Sequence, residues 1–260
     1  MSATPPAYPP GRSLLDDQGV VVTAAAGSGI GFATAKRCAE EGARLVISDI
    51  HARRLGEAVE ALRAETGHVA LGVLCNVTVE AQVQRLFEAA ADHLGGIDVM
   101  VNNAGLGGTA DLVDMTDEQW GAVLDVTLNG TMRCTRAAMR HMMPRGKGVI
   151  INNSSVIGWR AQRGQSHYAA AKAGVMALTR CSALEAAEAG VRVNCVAPSF
   201  ANHPFLAKVS DPELLESLQE SEAFGRGAEP WEVANVIVFL ASDLSSYMTG
   251  EVVSVSSQHP

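Results

Sequence analysis

The sequence predicts an α/β protein, a single domain built on a doubly wound parallel sheet of about seven strands with helices on both faces. Short β-branched runs alternate with helical stretches along the chain, which is the pattern of such a sheet. The strand runs are apolar without strict alternation, and this indicates burial on both faces. No internal repeat and no linker rich in Gly or Ser divides the 260 residues.

The predicted elements follow one another in order. Strands are predicted at residues 19–24, 44–49, 69–76, 97–105, 148–155, 191–199 and 251–256. Helices are predicted from Ile30, from Arg53 and from Val79, around 117–142, around Tyr168, near 211–222 and from Pro230. Residues 1–15 form a Pro-rich N-terminal arm, which either is disordered or lies on a neighbouring subunit. Residues 16–260 form the domain, with residues 200–226 as a substrate lid after a strand end.

Composition excludes several classes of protein. The net charge of −8 and the pI of about 5.4 give no electrostatic footprint for nucleic acid or an anionic membrane. The five cysteines are scattered and never form C-x-x-C or a cluster with His, so we expect a reducing compartment and no metal site. No apolar run approaches the roughly eighteen residues of a membrane span, and the N-terminus lacks the regions of a signal peptide. We therefore expect a cytoplasmic protein.

The turn after the first strand reads "AAGSGIGFATAKRCAEEG". Gly27, Gly29 and Gly31 stand between a strand and a helix start, where small residues let the backbone approach a pyrophosphate. The spacing departs from G-x-G-x-x-G, because Phe32 occupies the place of its third glycine. A dinucleotide site and a simple tight turn are both consistent with this stretch alone.

The second strand ends at Asp49, eighteen residues after Gly31. A carboxylate there accepts hydrogen bonds from ribose hydroxyls and repels a 2′-phosphate, which favours NAD over NADP. Arg53 and Arg54 follow closely. They either soften that preference or form a solvated first helical turn.

Two further strand ends belong to the same predicted edge of the sheet. The third strand ends at Asn76-Val77, placed to flank an adenine, and the fourth ends in "NNAG", whose small residues suit close approach to a ribose.

The stretch "SHYAAAK" sets Tyr168 four residues before Lys172 within an alanine run that favours a long helix. Residues four apart share a helix face. A nearby cation lowers the pKa of a phenol from its usual value of about 10, as a general acid or base requires. An ordinary surface Tyr and a solvated Lys are the alternative interpretation of so short a motif.

With the glycine loop, "NNAG" and Ser155 thirteen residues before Tyr168, the sequence resembles the short-chain dehydrogenase/reductase family over nearly everything after residue 16. The resemblance implies a Rossmann-type fold and hydride transfer between a substrate and a nicotinamide. Ser155, Tyr168 and Lys172 would be catalytic, with Tyr168 exchanging a proton with the substrate oxygen and Lys172 also binding the nicotinamide ribose. The implied cofactor-binding residues are Gly27, Ser28, Gly29, Ile30, Asp49, Asn76, Val77, Asn103, Ala104, Gly105, Tyr168, Lys172 and Pro198.

This sequence departs from the family pattern in several places. The glycine after the strand threonine is replaced by Ala24 or Ala25, and the register of the loop stays open. Thr127 in "DVTLNG" takes the place of a catalytic asparagine that helps to hold a water beside the lysine. His203 replaces a threonine, so it either contacts the nicotinamide amide or serves as a hinge of the lid. The usual closing "G-G" reads Ser256-Ser257.

A narrower resemblance is to an actinobacterial subgroup that oxidises a ring hydroxyl of a CoA-linked indane in cholesterol C- and D-ring degradation. It rests on "GWRAQ", "EAFGRGAEPWEVA" and the ending "TGEVVSVSSQHP". Trp159, Arg160 and Arg163 stand near the predicted site mouth, where they either contact a CoA thioester or lie at the surface or a subunit interface. Leu214 belongs to an apolar face of the lid helix that would close over a hydrophobic substrate.

We therefore predict an NAD-dependent oxidoreductase that interconverts a secondary alcohol and a ketone on a hydrophobic alicyclic acyl-CoA. The alternatives are a 3-oxoacyl thioester reductase, which would prefer NADPH, and a catalytically silent NAD-binding sensor. In the family, the helices before residue 142 and after 166 pair between subunits, which implies a homotetramer or homodimer. Met132, Met139, Met176 and Leu184 either face such a partner or pack in the core.

Overall fold

The computed structural model describes residues 3–202 and 212–257, without the side chains of residues 212–215 and 218. In this part of the chain seven parallel strands form one sheet, in the order β3-β2-β1-β4-β5-β6-β7. The strands are β1 (Gly19–Thr23), β2 (Arg44–Asp49), β3 (Leu71–Leu74), β4 (Val99–Asn102), β5 (Gly148–Asn153), β6 (Val191–Pro198) and β7 (Val252–Val255). The predicted doubly wound sheet is confirmed.

Eight α-helices connect or follow these strands in the described ranges. They are α1 (Ile30–Glu40), α2 (Ala52–Thr66), α3 (Glu80–Leu94), α4 (Asp117–Leu124), α5 (Gly130–Met142), α6 (Ser166–Ala187), α7 (Pro212–Ser221) and α8 (Pro230–Ala241). Several ends follow local sequence signals. Thr116 caps α4 in a reciprocal capping box with Gln119, and glycines in the left-handed conformation end α2 and α3.

Two layers of helices cover the sheet, because alternate residues of each buried strand point to opposite faces. In β1, Val20 and Val22 pack into the apolar cluster that contains α1, α2 and α8. Val21 packs on the other side, with α3, α5 and α6. All three valines are fully buried, as the non-alternating strand pattern predicts.

The stretch predicted as one helix around 117–142 is interrupted. A π-helical turn at Asp125–Asn129 separates α4 from α5. Such turns insert one extra residue per turn and are frequent at functional sites. Here the turn contains the fully buried Thr127.

The N-terminal arm lies on its own subunit. The Tyr8 ring packs edge-on against Trp231 of α8 with 5.4 Å between centroids, and its hydroxyl donates to Glu40 at 2.6 Å. The Arg12 N–H donates to the Glu41 carboxylate at 2.8 Å. The described part of the arm therefore packs on α1 and α8 of its own chain, and its contact with a neighbouring subunit stays a prediction.

The structure also bears on the cysteines and on possible membrane-spanning helices. All five cysteines are unpaired, and Cys181 is the exposed one. None of the helices in residues 3–202 and 212–257 combines the length and the hydrophobicity of a membrane span.

Candidate active site

The carboxyl ends of the central strands bring Ser155, Tyr168 and Lys172 together. Ser155 follows β5, and its hydroxyl lies 3.4 Å from the Pro198 carbonyl at the end of β6. Tyr168 and Lys172 occupy the first two turns of α6. The Lys172 ammonium lies 5.5 Å from the centre of the Tyr168 ring. The predicted helical face therefore carries both side chains, although their charged and phenolic ends do not touch.

Burial shifts both titrating groups. It raises the pKa of Tyr168 to about 12, and a hydrogen bond with the Ser155 hydroxyl opposes that shift. It lowers the pKa of Lys172 to about 8, against the influence of the nearby Cys195. The expectation that Lys172 lowers the pKa of Tyr168 stays a prediction. In this chain by itself desolvation dominates, and the Ser155 hydroxyl is the group that opposes it. A phenolate at neutral pH would need further positive charge in the site.

Lys172 is held by a residue that sequence reasoning missed. Its ammonium donates to the backbone carbonyl of Asn153 at 2.6 Å. The buried Asn153 side chain donates to Asn103 Oδ1 at 2.9 Å, and Asn103 donates in turn to the Ala24 carbonyl at 3.1 Å. These bonds connect Lys172 with the glycine loop. The signal in the sequence is the pair of asparagines at the end of a buried strand, just before Ser155.

Thr127 lies beside the site, but its hydroxyl already has partners. It accepts from the Leu106 N–H at 2.9 Å and donates to the Leu106 carbonyl at 3.0 Å. A Cβ built on Gly105 would lie 3.6 Å from Lys172 Nζ and 3.9 Å from Thr127 Oγ1, so Gly105 lies against both. Thr127 therefore fixes the segment after β4, and no bond from its hydroxyl to Lys172 is present.

The glycine loop has the shape of an anion cradle. Gly27 has φ +140, and a Cβ on Gly27 or Gly29 would meet no heavy atom within 4 Å, so open space lies above the backbone. Gly29 immediately precedes α1, whose unpaired N–H groups and dipole favour negative charge. Gly31, in contrast, is tightly packed against Ala24 and Asn103. The residues present fit the pyrophosphate of a dinucleotide.

The register of this loop is settled by backbone conformation. Ala24 has φ +51, in the left-handed region that favours glycine. Thr23 precedes it, and the Thr23 hydroxyl accepts from the N–H groups of Asn103 and Ala104 at 3.0 and 3.1 Å. Ala24, and not Ala25, therefore takes the place of the glycine after the strand threonine.

Asp49 lies directly beneath the glycine loop. Its carboxylate accepts from the Ala26 N–H at 3.3 Å and from the His51 N–H at 3.0 Å. Burial raises the pKa of Asp49, and the Ala26 hydrogen bond and Arg54 oppose that shift. Arg54 approaches the carboxylate at 3.9 Å, whereas Arg53 pairs with Glu57 on the exposed face of α2. Of the two arginines, only Arg54 reaches Asp49.

The remaining predicted cofactor contacts line the same edge. The Asn76 side chain accepts from the Thr78 N–H at 3.0 Å and so closes its own turn. Val77 is buried against Gly130 of α5. Ser28 is exposed, and Ile30 begins α1. His203 lies outside the described residues.

The predicted substrate residues are only partly observed. Trp159 is half exposed after a short 3-10 turn, and Arg160 beside it is partly buried. Arg163, considered as a phosphate ligand, pairs with Asp111. The side chain of Leu214 is outside the described part of the chain. Leu106, which sequence reasoning did not select, is 42% exposed next to Gly105 and so adds an apolar side chain near Lys172.

Comparisons with known proteins cover nearly the whole chain. A family model described as "Enoyl-(Acyl carrier protein) reductase" matches residues 24–257. The chain is 60% identical, over 96% of each sequence, to (5R,7aS)-5-hydroxy-7a-methyl-1-oxo-2,3,5,6,7,7a-hexahydro-1H-indene-carboxyl-CoA reductase of Mycobacterium tuberculosis. It is 41% identical to cis-4-hydroxycyclohexanecarboxylate dehydrogenase of Sinomonas cyclohexanicum, over 91% of this chain and 94% of the relative. A crystal structure of a short chain dehydrogenase from Mycobacterium smegmatis superposes with a TM-score of 0.87 at 55% identity, over 98% of each chain.

Proposed function

The chain belongs to the short-chain dehydrogenase/reductase family of nicotinamide-dependent oxidoreductases, and from this premise we propose its reaction and substrate. It interconverts a secondary alcohol and a ketone on the ring of a hydrophobic alicyclic acyl-CoA, with NAD as cofactor. The observation that carries the proposal is the convergence of Ser155, Tyr168 and Lys172 at one end of the sheet.

The roles follow from the geometry. A bound nicotinamide would take hydride from the alcohol carbon or return it to the ketone. Tyr168 holds and moves the proton of the substrate oxygen, and Ser155 hydrogen-bonds the same oxygen. The Lys172 ammonium is oriented by its hydrogen bond to the Asn153 carbonyl and supplies positive charge close to the phenol. This charge favours the phenolate that burial of Tyr168 disfavours.

The preference for NAD is argued from Asp49. Its carboxylate lies under the glycine loop, with both oxygens oriented by backbone N–H groups. A 2′-phosphate beside it would meet a like charge, whereas ribose hydroxyls would find an acceptor. Arg54 at 3.9 Å weakens this discrimination without replacing it, because the carboxylate lies closer to the loop.

The substrate class is supported by the relatives and by the site. The two relatives described above are named for alicyclic substrates, one a carboxyl-CoA and one a free carboxylate. Leu106 and Trp159 present apolar surface near the catalytic residues. We propose that a fused alicyclic ring lies against these side chains. The predicted lid, residues 200–226 with Leu214, falls partly outside the described residues.

A homotetramer or homodimer is part of the same proposal. An open groove between α5 and α6 is lined by Met132, Met139 and Leu178, and Leu184 beside it is 79% exposed. Met176 is buried in the core instead. An apolar groove of this kind is suited to the same surface of a second copy.

The test is nicotinamide reduction with a hydroxylated indane carboxylate, offered as the CoA thioester and as the free acid, each with NAD and with NADP. Turnover restricted to the thioester and NAD would support the proposal in full. Equal turnover of the free acid would remove CoA from recognition. Faster reduction of a linear 3-oxoacyl thioester with NADPH would favour the alternative reductase, and cofactor binding without turnover of any alcohol would favour the sensor.

The proton-transfer role makes a direct prediction. Tyr168→Phe should lower kcat by at least about a hundredfold, because a positioned general acid or base contributes roughly 10²–10⁴-fold. The cofactor dissociation constant, measured by NADH fluorescence, should change little. Tyr247→Phe, at a fully exposed tyrosine, is the control. Turnover by Tyr168→Phe at the wild-type rate would contradict the mechanism.

A further inference from the structure

The segment after β4, Gly105–Asp111, runs across the start of the catalytic helix. Gly107 lies against the Tyr168 ring, with 4.0 Å between a Cβ built there and Tyr168 Cδ2. Gly108 lies against His167, whose Nε2 would be 3.2 Å from such a Cβ. The segment "GLGGT" can approach the helix this closely because three of its five residues have no side chain. It therefore forms one wall of the space in front of Tyr168.

Gln165 forms hydrogen bonds to this wall. Its side-chain amide donates to the Gly108 carbonyl at 2.7 Å and to Thr109 Oγ1 at 3.1 Å. Next to it, the Ala110 N–H donates to the Gly164 carbonyl at 3.0 Å. Gln165 and Gly108 are 57 residues apart in the chain, so these bonds join two strand-end loops that the sheet brings together.

The position of Gln165 is informative. It is the residue immediately before α6, where a polar side chain commonly caps the first turn, yet it makes no capping bond. Its two donors serve the opposite loop instead. Arg163 and Asp111 add an ion pair at the far end of the contact, where Arg163 is 88% exposed, and such a pair contributes little by itself.

A second observation concerns the side chain that lies beneath the wall. His167 is 2% exposed beneath Gly108, and its Nδ1 has no hydrogen-bond partner. An unpaired buried polar atom costs free energy. The His167 Nδ1 therefore contributes no bond to the wall, whereas the Gln165 side chain bonds to it twice.

We propose that Gln165 is a positioning residue for the proposed alcohol and ketone reaction. By holding Gly108 it fixes the gap between Leu106 on the wall and Tyr168, and so sets how closely a ring substrate is held before hydride transfer. The cofactor site lies on the other side of Gly105, next to the glycine loop, and does not depend on these bonds. The proposal rests on the proposed function.

The test compares Gln165→Ala, Gln165→Met and the control Gln162→Ala in the full-length protein. Both Gln165 variants should raise KM for the best alcohol substrate about tenfold, with kcat within twofold and an unchanged NADH dissociation constant. Met approximately preserves the volume of the side chain and removes its amide, with both the N–H donors and the carbonyl acceptor. Gln162 lies in the same loop, so its replacement should leave all three constants at wild-type values.

Hydrogen exchange separates this inference from the proposed function. In both Gln165 variants, without any substrate, the Ala110 amide should lose protection while the amides of β4 retain theirs. If the Ala110 amide loses protection in these variants but the wild type oxidises no alcohol, the bonds of Gln165 to the Gly105–Asp111 segment would be supported and the proposed reaction contradicted. Unchanged KM and unchanged Ala110 exchange in the Gln165 variants would overturn the positioning role of Gln165. A wild-type KM in Gln165→Met would also overturn it. So would a loss of affinity for NADH as large as the loss of affinity for the substrate.

Discussion

Ala24 adopts a conformation that an alanine normally avoids, at φ +51 between β1 and the glycine loop. The left-handed region costs an L-residue with a Cβ roughly 1–2 kcal/mol. The strain is confined to the backbone of Ala24, so its removal can be measured as a change in the free energy of unfolding.

Replacing Ala24 by Gly should raise the free energy of unfolding by up to about 1 kcal/mol, because relief of strain exceeds the added entropy of the unfolded chain. Denaturant titration measures this change. Ala25→Gly, at a neighbouring buried residue without positive φ, should instead lose about 0.5–1 kcal/mol. Equal destabilisation by both substitutions would contradict the assigned strain.

Lys172 has a predictable effect on stability against pH. Burial lowers its pKa to about 8, whereas an unfolded lysine has a pKa of about 10.4. Between these values the unfolded chain binds the extra proton, so this contribution to stability increases as pH rises and is smallest below pH 8. The free energy of unfolding of wild type relative to Lys172→Met should therefore increase between about pH 8 and 10, by up to about 1.4 kcal/mol per pH unit.

The comparison of wild type with a variant cancels the ionisation of Cys38 and Cys75, whose pKa values are raised by burial. Cys195 interacts electrostatically with Lys172, so its ionisation is part of the measured difference. Lys147→Met removes a mostly exposed lysine and should give a difference that is flat over the same pH range. A flat difference for Lys172→Met as well would show that the ammonium is not desolvated.

Among whole elements, the N-terminal arm shows how irregular chain can be ordered by partners far away in sequence. Lys36 and Arg37 lie 5.3 and 5.4 Å from the Tyr8 ring centre, and the ring contacts Trp231. The arm also reaches the region after α7, where the Ala3 N–H donates to the Phe224 carbonyl at 2.8 Å. It therefore links helix α1 with α8 and with the end of the proposed lid.

Tyr8→Ala should lower the free energy of unfolding by about 1–2 kcal/mol, since it removes an aromatic pair, two cation contacts and a hydrogen bond. Chemical denaturation at neutral pH measures the loss. Tyr247→Ala, at a tyrosine with no burial, should stay within about 0.5 kcal/mol of wild type. Indistinguishable stabilities for the two variants would mean that the arm is bound too weakly to matter.

The whole molecule presents its unpartnered apolar groove on α5 and α6, on the side of the sheet away from α1 and α8. If this groove is the subunit interface, Leu184→Asp should shift the assembly toward smaller species in sedimentation velocity, because an unpaired carboxylate would be buried there. Val69→Asp places the same charge at an exposed apolar residue before β3 and should leave the assembly unchanged. Equal sedimentation of both variants and wild type would place the interface elsewhere.

Local sequence determined the features that depend on near neighbours. Strand and helix periodicity predicted the sheet, because burial on both faces leaves apolar runs in the inner strands such as β1 and β4. The i, i+4 spacing of Tyr168 and Lys172 put them on one face of α6. The glycines before α1 marked the anion cradle, since only residues without side chains leave its backbone open.

Tertiary structure alone decided what depends on distant chain segments. The bond from Lys172 to Asn153, the clamp from Gln165 to Gly108 and the packing of Tyr8 on Trp231 span 19, 57 and more than two hundred residues. Their partners are set by strand register and loop direction, which no short pattern encodes. The pKa of Tyr168 rises for the same reason, because desolvation depends on everything packed around the phenol and not on the single lysine four residues away.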